Sequence, residues 1–339
     1  METTVLVIQT AFLGDVVLTT PLLAALAAVH GPVDVVTTPA AAVLLETHPA
    51  VAAAIRYDKR GADRGMRGVW RLSRRLRSRG YLRAYLPHGS WRSAALARLA
   101  GIGERVGFAD SPAAATYTRR VIRPTEGHEV ERLLALAGGA GGAPPVHLAP
   151  TADDVAEADR WLRARGVEPG FVAIAPGSIW GTKRWPGYGQ LVAALDRPAV
   201  IVGGRDDARI AEDVIAHAPG RAHSAAGALG LRVSAALLAR AAVLVPTDSA
   251  PPPRATAVGT PLGAVFGPTG PSFGFGPRGP SDRIVEHPSL GCRPCSAHGP
   301  QVCPLGHHRC MRELSVETIA AAVGAVLGAE AHRAIRTGH

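Results

Sequence analysis

The chain has 339 residues, of which 47% are apolar and 19% charged. A chain of this length exceeds the size at which one hydrophobic core usually keeps growing, so we expect two domains. We expect no uninterrupted apolar run of the ~18 residues that a membrane-spanning helix needs. The N-terminus enters the strand-like run VLVI without a basic region or a cleavage site, which favours a cytoplasmic protein.

Positive charge is concentrated in one part of the chain. The formal net charge is +10, and residues 56–105 alone carry a net +11, from thirteen Arg and one Lys against three acidic residues. Such a field attracts phosphate-rich partners, namely nucleic acid, an anionic membrane surface or an anionic glycolipid. The alternative is a solvated, arginine-biased surface, since the chain has 35 Arg and only two Lys. No nucleic-acid-binding motif accompanies the charge, so nucleic acid is the least favoured partner.

The alternation of short apolar runs with longer helix-like stretches predicts an α/β fold with parallel sheets and crossover helices. The predicted strands span residues 5–8, 33–37, 81–86, 171–175, 199–202, 243–245 and 262–266. The Gly- and Pro-rich segment 138–145 separates two halves, so we predict domains at 1–145 and 146–339. We expect both to be doubly wound, Rossmann-like domains that face each other across a ligand-binding cleft.

Two helices of the second domain have clear signals. Thr151 is a suitable N-cap for a helix at 152–165, whose first turn carries Asp153 and Asp154. A terminal helix is predicted at about 315–329. It follows a cysteine-rich loop at 291–311.

A carboxylate follows the first predicted strand, in the segment VLVIQTAFLGDVVLTTP at 5–21. Gly14 is expected to let the backbone turn tightly, which places Asp15 at the carboxyl edge of the sheet. A carboxylate there can accept a proton from an incoming hydroxyl within hydrogen-bond reach. The alternative is that Asp15 only caps the following helix.

Two loops of the second half have the composition of anion-binding segments. After the strand at 171–175, the segment APGSIWGTKRWP at 175–186 combines small residues, whose amides can approach an anion, with the cation Lys183. A leaving diphosphate needs this combination, although Gly-Ser loops beside one Lys are also common on surfaces. The strand at 243–245 is followed by Asp248 and Ser249 and then by a helix that Pro251 starts. Asp248 is otherwise an ordinary N-cap.

Together these segments resemble the bacterial lipopolysaccharide heptosyltransferases, the family-nine glycosyltransferases with the two-Rossmann architecture called GT-B. The most specific matches are LGDVVLTTP at 13–21, APGS at 175–178, GTKRWP at 181–186, DS at 248–249 and GTP to FGPT at 259–269. The resemblance implies inverting, metal-independent transfer of heptose from ADP-heptose to an acceptor hydroxyl of the lipopolysaccharide inner core. It also implies an anionic lipid-linked oligosaccharide as acceptor, bound by the N-terminal domain, and a peripheral position at the inner face of the inner membrane.

The resemblance assigns Asp15 as the general base and Lys183 as the cation near the donor diphosphate. The remaining donor-side residues lie in loops after predicted strands: Gly14, Gly177, Ser178, Thr182, Asp206, Asp207, Asp248 and Ser249. Among them, Ser178 and Thr182 belong to the phosphate loop, and Asp206 or Asp207 occupies the place where the family holds the ribose. Trp91 and Arg92, which open a helix, are assigned to the acceptor side, with packing as the alternative for Trp91.

One departure from the family concerns the donor. After Asp-Ser/Thr the family usually continues Gly-Pro-Met-His-Leu, whereas Pro253 here stands in place of the phosphate-contacting His. Proline cannot donate a hydrogen bond from its side chain, so either Arg254 supplies the charge or donor binding is altered. The alternative functions are therefore a transferase of the same fold acting on another glycan or natural product, or a non-catalytic sugar-nucleotide-binding protein.

The four cysteines of the chain form one cluster: Cys292, Cys295, Cys303 and Cys310. Many members of the resembled family end in a similar Cys-Pro-rich tail containing Gly-His-His. Four thiols in one segment can enclose a tetrahedral zinc or bind an iron–sulfur cluster. Free buried thiols and disulfides are the alternatives, and disulfides are disfavoured in a reducing cytoplasm.

Overall fold

The computed structural model describes residues 4–139, 143–249 and 251–337. Contacts divide the chain into two units, Met1–Ala149 and Pro150–His339, a boundary slightly later than the predicted 145. The difference arises because His147 packs with the first unit. Its amide donates to the Thr20 hydroxyl at 3.1 Å, and its ring meets that of His48 edge-on. Residues 140–142 of the predicted linker lie outside the described residues.

Both units are built on parallel strands. In the first unit the strands are β1 (Val5–Ile8), β2 (Val33–Thr37), β3 (Val51–Arg56), β4 (Arg83–Leu86), β5 (Glu104–Phe108) and β6 (Arg119–Val121). In the second unit they are β7 (Val172–Ala175), β8 (Ala199–Ile201), β9 (Ala222–Ser224), β10 (Val243–Pro246), β11 (Gly263–Phe266) and β12 (Arg283–Glu286).

Helices connect successive strands. The first unit has α1 (Leu13–Leu18), α2 (Thr20–His30), α3 (Pro39–Leu45), α4 (Gly65–Arg77), α5 (Trp91–Leu99) and α6 (Glu129–Leu134). The second has α7 (Ala152–Arg163), α8 (Tyr188–Ala194), α9 (Ala208–Ile215), α10 (Leu231–Leu238), α11 (Pro251–Ala257), α12 (Arg309–Arg312) and α13 (Val316–Thr337). Thr151 caps α7, as predicted, and together with Asp154 it forms a capping box. The predicted end of the terminal helix is wrong, since α13 continues past residue 329.

The two units have the same strand order. The first sheet runs β3-β2-β1-β4-β5-β6, and the second runs β10-β7-β8-β9. Isolated bridges from Leu244 to Leu262 and from Thr247 to Val265 add β11 beside β10, and β12 pairs with β11. Counted from the start of each unit, both orders are 3-2-1-4-5-6, the doubly wound Rossmann order. This confirms the predicted fold class. The strand order reverses between β1 and β4 in the first unit and between β7 and β10 in the second.

Each sheet is covered by helices on both faces. In β1, Leu6 and Ile8 belong to the same buried cluster as Leu72 of α4 and Leu96 of α5. On the other face, Val5 and Val7 lie in a cluster with the apolar residues of α2. Because both faces are covered, β1 is apolar throughout, which is why the sequence identifies it so clearly.

The stretch Leu13–His30, which contains α1 and α2, has a hydropathy of 1.6 over 18 residues and is long and apolar enough for a membrane span. It is not an uninterrupted apolar run, because Asp15, Thr19 and Thr20 lie within it. Half of the stretch is buried inside the first unit. Leu22, Leu23 and Leu26 pack in the core, so burial against the sheet accounts for the apolar composition.

Candidate active site

Asp15 lies in the first turn of α1, directly after the loop that leaves β1. Its Oδ2 accepts a hydrogen bond from the Phe12 amide at 3.1 Å, so the capping role is present. A carboxylate has two oxygens, and capping through one of them is compatible with accepting a proton. Gly14 is the second residue of α1, so the chain turns before it and the predicted tight turn at Gly14 is wrong.

A buried glutamine braces the backbone that carries Asp15. Gln9 follows β1 and is 3% exposed. Its Nε2 donates to the Thr19 hydroxyl at 2.9 Å, and that hydroxyl donates to the Asp15 carbonyl at 2.7 Å. Gln9 is not among the site residues predicted from the sequence. A polar residue directly after a buried apolar strand is the signal that could have identified it.

Cations surround the same edge of the first sheet. The Lys59 ammonium donates to the Thr10 carbonyl at 2.5 Å, which ties the loop after β3 to the loop after β1. Burial and then the charges of Arg60 and Arg92 lower the pKa of Lys59. Burial and then Lys59 lower the pKa of His88. Mutually repelling cations favour an anionic partner at this edge.

A small cavity of about 260 Å³ lies at the carboxyl ends of β4 and β5, lined by residues 87–90, 108 and 110–112 and by Arg123. Arg123 stacks 4.7 Å from the Phe108 ring centroid and hydrogen-bonds both Glu129 carboxylate oxygens at 2.7 Å. Trp91 follows this loop and is 60% exposed, so the packing alternative for Trp91 is wrong.

In the second unit, Lys183 and Asp248 form an ion pair at the point where the strand order reverses. Lys183 is 7% exposed, in a short turn at Gly181–Lys183 after β7. Its Nζ donates to Asp248 Oδ2 at 2.5 Å, and the Thr269 hydroxyl donates to the same oxygen at 2.6 Å. The structure thus joins two residues that the sequence identified separately. An ammonium has three donors, so Lys183 can hold Asp248 and still donate to a diphosphate oxygen.

The loop before Lys183 is shaped by its own hydrogen bonds. The Ser178 hydroxyl accepts from the Trp180 amide at 3.2 Å. The Ser178 carbonyl accepts from the Arg184 guanidinium at 2.8 and 3.0 Å. Ser249, after β10, donates its hydroxyl to the Thr247 carbonyl at 3.2 Å.

The cysteine-rich loop 291–311 packs behind this candidate diphosphate loop. Thr182 donates its hydroxyl to the Pro300 carbonyl at 2.5 Å, and the His308 Nε2 lies 2.7 Å from the Thr182 carbonyl oxygen. The Gly181 amide donates to the Gln301 side chain at 3.1 Å. Thr182, predicted to contact donor phosphate, thus fastens the loop through its hydroxyl.

The two aspartates of the acidic turn after β8, Asp206 and Asp207, have different surroundings. Asp207 Oδ2 accepts from the Gly204 amide at 2.8 Å. A Cβ on Gly177 would lie 2.0 Å from Asp207 Oδ1, so the carboxylate occupies the space beside Gly177. Asp206 is exposed. Of the two predicted ribose contacts, Asp206 is therefore the accessible one.

Arg254 is a buried cation near this turn. It is 6% exposed, and its Nε has no hydrogen-bond partner among the described residues. Burial lowers the pKa of Arg254 to about 10, and the charge of Asp207 opposes that shift. Pro253 precedes it within α11 and carries no donor. Arg254, which was predicted to supply the charge that Pro253 lacks, is thus a desolvated guanidinium.

The four cysteines are free thiols, with Cys310 buried and Cys295 exposed. Burial, and then the neighbouring thiols, raise the pKa of Cys310 to about 11. Burial opposes ionisation of Cys303, but backbone amides of residues 305–308 hydrogen-bond to its sulfur and hold its pKa below the usual value. Across 4–139, 143–249 and 251–337, no three His, Cys, Asp or Glu side chains form a metal-binding group.

Residues 69–303 match the sequence profile of glycosyltransferase family 9 (heptosyltransferase). The chain belongs to glycosyltransferase family 9. No curated protein matches it. This assignment confirms the resemblance stated from the sequence and makes the protein a glycosyltransferase of the heptosyltransferase family.

Solved structures share the fold of this family-9 chain. Escherichia coli ADP-heptose lipopolysaccharide heptosyltransferase II is 22% identical, with 96% of this chain and 99% of that chain covered and a TM-score of 0.79. A family-9 glycosyltransferase from Veillonella parvula DSM 2008 is 21% identical, with coverages of 96% and 98% and a TM-score of 0.84. E. coli heptosyltransferase WaaC with ADP is 23% identical, with coverages of 83% and 92% and a TM-score of 0.66. At these identities the likeness establishes the GT-B fold.

Proposed function

We propose that this protein transfers a heptose from ADP-heptose to an acceptor hydroxyl of the lipopolysaccharide inner core, with inversion and without a catalytic metal. The observation that carries the proposal is the buried Lys183–Asp248 pair where the strand order of the second unit reverses, a position at which doubly wound folds bind nucleotides. The names of two structural relatives, an ADP-heptose heptosyltransferase and a heptosyltransferase with ADP, support the donor.

The proposed chemistry uses both units. Asp15 accepts the proton of the acceptor hydroxyl while the oxygen forms a bond to the anomeric carbon from the face opposite the leaving group. The bond from the anomeric carbon to the diphosphate oxygen breaks, and ADP leaves with the electron pair. Lys183 and the amides after β7 stabilise the charge that develops on the diphosphate. Asp248 holds the Lys183 ammonium in place, and Asp206 binds the ribose.

The cations at the edge of the first sheet suit an anionic acceptor. Arg60 and Arg92 each lie close enough to Lys59 to lower its pKa. Phosphate or carboxylate groups on an inner-core oligosaccharide would relieve that repulsion. The cavity beside Arg123 and Phe108 has the polar and aromatic lining that suits a sugar ring.

A substitution of Asp15 gives the most direct test, because asparagine keeps the helix cap but removes the proton acceptor. In Asp15→Asn, the amide oxygen can still accept from the Phe12 amide but cannot take a proton. We expect ADP release from ADP-heptose, with a heptose-deficient core acceptor, to fall by about 10²–10⁴ while the melting temperature stays unchanged. Asp15→Ala should lose both the cap and the activity. Wild-type turnover by Asp15→Asn would overturn the base assignment.

A panel of sugar nucleotides tests the rest. ADP-heptose should be the donor from which a nucleoside diphosphate is released, and only when acceptor is present. Release from ADP-heptose with a different glycan would favour another acceptor class. Absence of both release and ADP binding in calorimetry would favour a protein that has lost the site.

A second proposal concerns the cysteine-rich loop. Its four thiols are not arranged as a metal-binding group in the structure described here, so we infer that a structural zinc ion or iron–sulfur cluster would draw them together on binding. The amides directed at Cys303 favour a thiolate, the form that ligates metal. The bound metal would rigidify the segment that holds Thr182 and Gly181. Mass spectrometry should find metal in stoichiometric amount, and Cys303→Ser should lower both metal content and melting temperature. Metal-free protein of unchanged stability and ADP affinity would contradict this proposal.

A further inference from the structure

Helix α4 exposes two large apolar side chains on one face. Val69, Leu72 and Leu76 of this helix are buried in the first unit. On the exposed side, Met66 is 71% and Trp70 58% accessible. The two lie four residues apart, so they are neighbours on the helix surface. Single exposed apolar residues need no explanation, but an adjacent pair of this size forms a patch that a partner can cover.

Cations flank this apolar pair. The Arg74 guanidinium lies 4.8 Å from the Trp70 ring centroid. Arg67, Arg74 and Arg75 are exposed, and no carboxylate of the described residues forms an ion pair with any of them. Arg71, by contrast, pairs with Asp63. The surface therefore combines a Trp and a Met with unneutralised arginines.

The position of α4 in the fold relates this patch to the acceptor side. α4 follows β3 and α5 follows β4, so both helices begin at the carboxyl edge of the first sheet, the edge at which Asp15 follows β1. Phe12, which precedes α1, is 63% exposed, and Trp91, the first residue of α5, is 60% exposed. Exposed aromatic side chains thus recur along this one edge.

We propose that the face of α4 carrying Met66 and Trp70 docks on an anionic phospholipid bilayer. The pairing of Trp with arginines on one helix face matches the chemistry of the bilayer interface, where Trp lies at headgroup level and basic side chains contact lipid phosphates. RNA would place phosphates on the arginines and can stack a base on Trp70, but it would leave the apolar side chain of Met66 uncovered. Docking through α4 would present the carboxyl edge of the first sheet to a lipid-linked acceptor. The resemblance to the family implies a peripheral membrane position, and this inference adds the face that makes the contact. It does not require heptose transfer.

The test measures binding of the full chain to vesicles, by sedimentation, with phosphatidylcholine alone and with added phosphatidylglycerol. We expect binding only to the anionic vesicles. The variant Met66→Ser/Trp70→Ser should bind at least tenfold more weakly, because both changes remove apolar surface from the bilayer. Arg67→Gln/Arg74→Gln/Arg75→Gln should lose about fivefold for each arginine removed and should show a weaker dependence on salt.

Val29 and Leu82 supply a matched control. They are 76% and 68% exposed, in the same unit but near the amino edge of the sheet. Val29→Ser/Leu82→Ser should bind vesicles like the wild type. Equal binding by the α4 variant and this control, or equal binding of wild type to neutral and anionic vesicles, would overturn the proposal. It would also be overturned if wild type bound RNA but not vesicles, with Met66→Ser/Trp70→Ser binding RNA unchanged.

Activity measurements separate this inference from the proposed function. With a water-soluble acceptor, Met66→Ser/Trp70→Ser should turn over like the wild type, and with an acceptor embedded in anionic vesicles it should be slower. If no variant transfers heptose but vesicle binding still depends on Met66 and Trp70, docking stands and the proposed reaction fails. If transfer occurs but vesicle binding does not depend on Met66 and Trp70, the proposed reaction stands and docking through α4 fails.

Discussion

Thr182 donates its hydroxyl to the carbonyl oxygen of Pro300, which fastens the candidate diphosphate loop to the cysteine-rich loop. The adjacent Gly181 is bound to the same segment, through the Gln301 side chain. The geometry of the loop that precedes Lys183 is therefore set by residues more than a hundred positions away. Its ligand affinity should respond to changes in a segment that need not touch the ligand.

Gly181→Ala tests that dependence. A Cβ there would lie 2.5 Å from the Gln301 carbonyl oxygen, which is too close for any real contact, so the two segments must separate. We expect about tenfold weaker ADP binding by calorimetry. Gly291→Ala, in the same cysteine-rich loop, meets nothing within 4 Å and should bind ADP like the wild type. Unchanged affinity in Gly181→Ala would show that the cysteine-rich loop does not set the donor site.

Lys183→Gln should separate pairing from catalysis. The change leaves Asp248 without its cation, which should destabilise the fold by roughly 1.5–3 kcal/mol and lower kcat/KM by about 10²–10³. In the double variant Lys183→Gln/Asp248→Asn, urea unfolding should recover most of the stability while kcat/KM stays low. Recovery of activity together with stability would assign Lys183 a purely structural role.

Arg254→Met tests whether the buried guanidinium serves the donor. Met fills similar volume without a desolvated charge, so the free energy of unfolding should stay within about 1 kcal/mol of wild type or rise. ADP affinity should fall about tenfold if Arg254 supplies the charge that Pro253 lacks. Arg240→Met is the control, because Arg240 forms two hydrogen bonds to Asp159 and should lose stability without weakening ADP binding. Wild-type ADP affinity in Arg254→Met would exclude this role.

Because the pKa of His48 is lowered in the folded protein, we expect the folded state to lose stability in acid. Burial, and then the nearby His147, lower its pKa from 6.5 to about 4. In the unfolded chain the His48 imidazole is protonated below about pH 6.5, whereas in the folded chain it stays neutral down to about pH 4. Stability should therefore fall as pH drops through that window, by roughly 3 kcal/mol in total, and level off below it.

The measurement is urea unfolding at pH 7 and pH 5. In His48→Asn the side-chain oxygen can replace Nδ1, which accepts from the Ala50 amide, and the pH dependence should shrink. His332→Asn, on the exposed terminal helix, should retain the wild-type dependence. An unchanged pH dependence in His48→Asn would show that another group titrates in this range.

The sequence predicts most of the interior strands and none of the edge strands. β1 is apolar at every position because helices cover both of its faces. The four strands at the sheet edges, β3, β6, β9 and β12, were not predicted, and neither was the interior strand β5. Edge strands are short and partly polar, as in Arg119–Val121 and Ala222–Ser224, so they carry little of the pattern that marks a buried strand.

The same limit applies to the site. Lys183 and Asp248 are recognisable because each follows a clear strand, and parallel topology then brings their loops together. The hydroxyl of Thr182 looks like a phosphate ligand in the sequence, but its partner lies 118 residues away. Long-range contacts of this kind, like the bracing of Asp15 by Gln9 and Thr19, depend on packing that no local pattern records.

The carboxylate of Asp207 beside Gly177 imposes a constraint on how this family can diverge. A side chain at position 177 and the Asp207 carboxylate in its present position cannot occupy the same space, so a change at 177 requires the carboxylate to move or to be replaced by a smaller side chain. Lineages that replace the glycine should also carry a smaller residue at 207, and lineages that keep the aspartate should keep the glycine. Correlated substitution at these two positions is the evolutionary record that this contact should leave.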